Sequence, residues 1–106
     1  MNANRDADRW GALADGTRLA IVARLADGPQ PVGQLAAGLP VSRSAVSQHL
    51  KILKDAGLVE DIAAGTRRIY RLNPAALAAL RDQLDTYWQR ALARYADVVE
   101  TPAEED

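Results

Sequence analysis

SRSAVSQHLKILKDAGLV, Ser42 to Val59, runs a helix-start signal, an amphipathic helix, a polar hydrogen-bonding side and a glycine stop together without a gap. Ser42 can cap the helix, because its hydroxyl can accept from one of the orphan backbone N–H groups of the first turn. Gly57 supplies the stop. At about 3.6 residues per turn, Val46, Leu50 and Leu53 share one stripe, while Ser44, Ser47, Gln48, Lys51 and Lys54 spread over the opposite side. One side packs and the other is free to bind, which is the pattern of a helix that reads DNA. The alternative is a surface helix with an ordinary solvated side, and the neighbouring sequence argues against it.

Upstream, VGQLAAGL (Val32 to Leu39) reads as a short helix carrying Val32, Leu35, Ala36 and Leu39, with Pro40 and Val41 separating it from the next: a helix-turn-helix. Downstream, Leu58 to Ala63 and Arg67 to Leu72 are short runs holding the β-formers Val59, Ile62, Ile69 and Tyr70 around a tight turn with Gly65. They predict a β-hairpin wing. Arg67 and Arg68 stand beside its turn with Thr66, where cations on a projecting ribbon can meet phosphate or enter a minor groove.

The order helix, helix-turn-helix, hairpin, long helix, with SRSAVSQHLKILKDAGLV and GTRRIYRLN, resembles the ArsR/SmtB family of winged-helix transcription regulators over about Trp10 to Tyr95. LADGTRLAIVARL (Leu13 to Leu25) also matches, with Gly16 where the family often has proline. The expected fold is mainly α with a small β-hairpin, a winged helix-turn-helix in the order α-α-α-α-β-β-α that dimerises through its terminal helices. One domain is expected over residues 7–100, with an acidic flexible tail at 101–106.

With 106 residues there is room for one core, and a chain of this size buries only about 60 to 70 % of its unfolded surface. A partner subunit would help. No apolar run approaches the ~20 residues of a membrane helix, and MNANRDADRW lacks the apolar stretch of a secretion signal, so a cytoplasmic location is expected. The chain has no cysteine, which excludes disulfides, thiolate metal sites and cysteine redox sensing. Its net charge of −1 is unevenly spread. Between Ser42 and Leu72 the six basic residues Arg43, Lys51, Lys54, Arg67, Arg68 and Arg71 face only Asp55, Glu60 and Asp61, a local charge of +3, and the rest of the chain carries −4. That polarity favours one docking orientation on DNA and only modest non-specific affinity.

The remaining segments read as scaffold. Ala7 to Ala14 predicts a short first helix whose Trp10 serves either the core or a subunit contact. A second helix starts at Asp15 or Thr17 and runs to about Ala26 with Leu19, Val22 and Leu25 on its core side, ended by Gly28 and Pro29. Asn73 and Pro74 open a long helix to about Glu100, with Leu77, Leu80, Leu84, Trp88, Ala91 and Tyr95 along one stripe, widened by Tyr87, Leu92 and Val99. So broad an apolar surface calls for a second subunit. The resemblance implies the same: a homodimer in which this helix meets its symmetry mate and the first helix, with Trp10, Leu77, Leu80, Leu84, Tyr87, Trp88, Ala91 and Tyr95 at the interface. The carboxylates of the tail oppose the helix macrodipole and predict a frayed end.

A two-fold dimer predicts an inverted-repeat operator with half-site centres about 34 Å apart. Ser44, Ser47 and Gln48 are expected to read base edges, Gln48 by pairing with adenine. Arg43 takes guanine or phosphate. Ser42, Lys51, Lys54, Thr66, Arg67 and Arg68 are placed at phosphates, which fix register without conveying sequence. His49, the single histidine, lies at the edge of the apolar stripe and is either a half-buried structural residue or a phosphate donor; the second reading is preferred.

The founding family members sense metals, and here this chain departs from them. Where the arsenic-sensing pattern CVCDL has its cysteines the chain reads PVGQL, with Pro31 and Gly33, and Pro74 to Glu100 contains no histidine for the zinc-sensing pattern. Asp82 and Asp85 read as a solvated helix face. No metal and no cofactor is expected, and the signal is a small molecule, a protein effector, a modification or the regulator's own abundance. An enzyme is excluded by the lack of a Ser/His/acid constellation, a phosphate-cradling glycine loop or paired carboxylates. The expected function is therefore repression of transcription by obstructing RNA polymerase, with activation by contact still open. The runner-up is a winged-helix module that binds protein and does not read DNA.

Overall fold

The computed structural model describes residues 8–100, and their side chains to residue 96. A first helix, α1 (8–12), is followed by α2 (Gly16–Leu25), β1 (Gln30–Pro31), α3 (Val32–Ala37), α4 (Arg43–Asp55), β2 (Val59–Ala64), β3 (Arg67–Leu72) and α5 (Pro74–Glu100). The strands form one antiparallel sheet in the order β1-β3-β2. The expected acidic tail, together with Ala7 and the side chain of Val99, lies outside the described residues.

Chain signals place the helix boundaries. Asp15, and not Thr17, caps α2, its carboxylate accepting from the Arg18 backbone N–H at 3.0 Å. Ser42 Oγ accepts from the Ala45 N–H at 3.1 Å and so opens α4. At the other end Gly57 takes a φ of +81°, its N–H bonds the Lys54 carbonyl at 2.9 Å, and the Leu58 N–H bonds the Leu53 carbonyl at 2.9 Å. These two bonds are a Schellman stop, and Leu53 and Leu58, the positions that flank it, are both buried in the core. Asn73 Oδ1 caps α5 through the N–H groups of Ala75 and Ala76 at 3.0 and 3.4 Å.

The core gathers residues from all five helices and β2: Ala12 of α1, Ile21 and Leu25 of α2, Leu35 of α3, Val46, Leu50 and Leu53 of α4, Val59 of β2, and Ala76 and Leu80 of α5. Helices α3 and α4 pack on one another as the helix-turn-helix, and α2 lies across α4.

Four expectations are corrected. The first helix ends at residue 12, two residues early, where the Leu13 N–H turns back to the carbonyls of Arg9 and Trp10 at 3.2 and 3.1 Å. Leu19 is 51 % exposed and Ile21 takes the core position; the two lie on opposite sides of α2, because residues two apart do not share a helix face. The sheet has a third strand, Gln30 and Pro31 pairing with Tyr70 and Ile69. A strand of two residues carries no alternation to read, but Gln30 before a proline is already biased to extended backbone, and an edge strand tolerates proline. Leu80 is buried in its own subunit, and Leu77 packs partly buried against the same core. Both were expected at the dimer interface, but so close to the helix start they cover the chain's own core.

Candidate nucleic-acid interface

Helix α4 turns Val46, Leu50 and Leu53 inward with no exposed surface, which fixes what its other side presents. Arg43, Ser44, Ser47 and Gln48 are all exposed there. None of these four side chains makes a hydrogen bond or ion pair among the described residues, so their donors and acceptors stand open to a ligand. Ser42 is exposed as well, but its hydroxyl oxygen is already engaged as the cap.

Beside this helix stands the hairpin. Val59 pairs with Leu72 and Ala64 with Arg67, leaving a two-residue turn of Gly65 and Thr66. Gly65 takes a φ of +65°, which such tight turns require and which glycine adopts without strain. Thr66, Arg67 and Arg68 are exposed near this tip. Between the wing and the start of α3 runs an open groove of about 570 Å³, bordered by Gly33, Gln34, Arg43, Thr66, Arg67 and Arg68.

The six cations of this surface are not equivalent. Lys51 is held by Asp55 at 2.9 Å and Arg71 by Glu60 at 2.9 Å. Asp61 takes both Lys54 and Arg68, each at 2.8 Å. Arg43 and Arg67 alone of the six have no ion pair among the described residues, and both border the groove. The sequence counted the charges correctly but could not show which were neutralised. Asp61 in particular was read as one acid among three; its side chain is 9 % exposed, and no composition signal marks it.

His49 falls into the structural of its two readings. Its Nδ1 lies 3.3 Å from Arg18 Nη1 and 3.9 Å from Asp15 Oδ2, with the ring 22 % exposed, so it faces α2. Arg18 Nε in turn donates to the Ala12 carbonyl at 2.6 Å. The bond from the Arg18 backbone N–H holds the Asp15 carboxyl below the usual carboxylate range, helped by the charges of Arg18 and His49. The cluster fixes α4 against α1 and α2.

Beyond its first turns, helix α5 carries an exposed stripe of large apolar side chains. From Arg81 to Ala96 no residue of α5 is buried. Leu84, Tyr87, Trp88, Leu92 and Tyr95 are 56, 49, 60, 47 and 66 % exposed, and Ala91 is half-buried. Trp10, 36 % exposed, donates from Nε1 to Gln83 of α5 and so seats α1 beside the same helix. Among the described residues no three His, Cys, Asp or Glu side chains are grouped to hold a metal ion, and no helix is long and apolar enough to cross a membrane.

Comparison with known proteins agrees with this layout. Residues 15–61 match the model of the family described as bacterial regulatory protein, arsR family. The chain is 59 % identical to the HTH-type transcriptional regulator Rv2034 of Mycobacterium tuberculosis, over 99 % of both chains. Among solved structures, an ArsR-like transcriptional regulator from Rhodococcus sp. RHA1 superposes with a TM-score of 0.75 at 33 % identity, covering 94 % of this chain and 97 % of that one. The homodimeric winged helix-turn-helix DNA-binding domain Mb0332 of Mycobacterium bovis gives a TM-score of 0.69 at 32 % identity over 87 % of this chain and 85 % of the other.

Proposed function

The chain belongs to the arsR family of bacterial regulatory proteins, and we propose that it is a homodimeric regulator that binds double-stranded DNA sequence-specifically in the cytoplasm and represses transcription by occupying an inverted-repeat operator. The observation that carries the reading is the open side of α4: among the described residues Ser44, Ser47 and Gln48 are exposed and unbonded, flanked by Arg43 and Arg67, the two cations of the surface that no described carboxylate neutralises. Hydroxyl and amide groups can both donate and accept, and Gln48 can pair with the N6 and N7 edge of adenine. Arg43 and Arg67 meet phosphates on either side of the groove and set the register.

The apolar side of α5 supplies the two-fold. Five large side chains left in water along one helix are costly, and burying them against the same helix of a second copy removes them from solvent. The Mycobacterium bovis domain is homodimeric, which supports this assembly. The signal that releases the DNA is not a metal held by cysteine, since the chain has none.

Titration of the purified protein with random-sequence and genomic duplexes at increasing salt tests the reading. Binding that weakens by about 0.9 log units per phosphate contact for each log unit of salt supports DNA recognition. A protein that leaves every duplex unbound, or binds with no salt dependence, is instead a protein-interaction module.

A further inference from the structure

Asp61 sits where the two elements proposed to meet DNA come together, and it divides its oxygens between them. Oδ1 pairs with Lys54 Nζ of α4 at 2.8 Å, and Oδ2 accepts from Arg68 Nη1 of β3 at 2.8 Å. Sheet register explains the second contact. Asp61 pairs with Tyr70, so Arg68 is its diagonal neighbour on the same face of the hairpin, within reach of a long side chain. The other two ion pairs of this surface lie within single elements, Lys51 with Asp55 inside α4 and Glu60 with Arg71 inside the hairpin. Among the described residues, charge joins α4 to the wing only through Asp61. Its side chain is 9 % exposed, and charge pairs gain strength away from bulk water. The hydrogen bond from Lys54 keeps its carboxyl below the usual carboxylate range although burial pulls the other way, so the bridge is ionised near neutrality.

We propose that Asp61 is a positioning residue for DNA recognition, locking the wing to the last turn of the recognition helix while withholding Lys54 and Arg68 from indiscriminate phosphate contact. The proposal rests on the reading of α4 and the wing as a DNA interface. It assigns the carboxylate a purpose that a merely soluble hairpin does not need: attraction to arbitrary sequence is held down, and the two reading elements keep one separation.

The test compares wild type with Asp61→Asn, which removes the charge, and with Asp61→Glu, which keeps it. Each is titrated with a random-sequence duplex and with the fragment most enriched from a random pool, across salt. Backbone amide order parameters of the wing are measured by NMR without DNA. Freeing two cations in each subunit steepens the salt slope of Asp61→Asn by up to about 1.8 per subunit. It also tightens random-duplex binding several-fold, and preference for the enriched fragment falls. Wing order parameters drop from about 0.85 toward 0.6, and Asp61→Glu recovers much of both. Lys54→Met, cut from the exposed end of the bridge, loosens the wing in the same way and serves if Asp61→Asn does not fold. Wing amides as ordered as in wild type overturn the proposal, as does an unchanged salt slope with DNA bound. Should no protein bind any duplex, the DNA reading fails, and the wing amides still decide the role of Asp61.

Discussion

Asn73 Nδ2 donates to the Gly57 carbonyl at 3.1 Å while Oδ1 of the same side chain caps α5, so a single amide ties the end of α4, the proposed recognition helix, to the start of the proposed dimer helix. The Asn73 backbone N–H adds a bond to the Leu58 carbonyl at 2.8 Å. In the proposed dimer this knot couples the spacing of the two α4 helices to the α5 pairing.

Replacing Asn73 by alanine removes both the cap and the bond to Gly57. A lost cap costs about 0.5–2 kcal/mol and an unsatisfied carbonyl adds to it, so Asn73→Ala is expected to lower unfolding free energy by about 1–3 kcal/mol in urea titration. Asn73→Asp, which keeps the cap and loses the donor, should fall between. A loss near zero for alanine would mean that water replaces the knot.

Two leucines on α5 are expected to separate stability from assembly. Leu80, 7 % exposed, serves the subunit core, and Leu80→Ala should cost about 2–5 kcal/mol. Leu84, 56 % exposed, and its neighbour Trp88 belong to the proposed dimer face. Trp88→Lys should leave helical circular dichroism intact and shift sedimentation from dimer to monomer. A Trp88→Lys protein that remains dimeric contradicts the assignment of this face.

Gln48→Ala is expected to weaken binding by about 1–3 kcal/mol on the preferred base and much less on sequences lacking it. Arg67→Ala should weaken all sequences alike and reduce the salt slope by about 0.9 per subunit. Equal losses on every sequence for Gln48→Ala would assign it to the phosphates.

Acid should weaken the fold through Asp15 and Asp61. Both carboxyls lie below their ordinary value of 3.8 when folded, so the folded state binds protons less readily than the unfolded chain. Their stabilisation is complete above about pH 5, where both states are ionised, and is lost as pH falls through 3.8 and on through the lower folded values. Thermal melts across that range should show the loss, and Asp61→Asn should show a smaller one from a lower starting point. Equal acid losses in the two proteins would remove Asp61 from the account.

The helices, the hairpin and the exposed side of α4 were legible because each follows from local chemistry: Ser42 as cap, Gly57 as stop, apolar residues at helical spacing. Long-range pairings were not. Gln30 and Pro31 join β3 only because the wing returns beside them, and nothing in two residues announces it. Leu19 and Ile21 are equally apolar, and the placing of α2 across α4 decides which is buried. At the site, Lys54, Arg68 and Asp61 read as three separate charges in sequence; the hairpin register and the end of α4 bring them together. His49 likewise turned on the neighbourhood of Asp15 and Arg18, thirty or so positions away.

Selection of bound fragments from a random-sequence duplex pool tests the central claim most directly. The account predicts an enriched inverted repeat whose half-site centres lie about 34 Å apart, one helical turn, and whose preference at one position of each half-site is relaxed by Gln48→Ala. A pool that emerges unenriched, or a single unrepeated half-site, would contradict it.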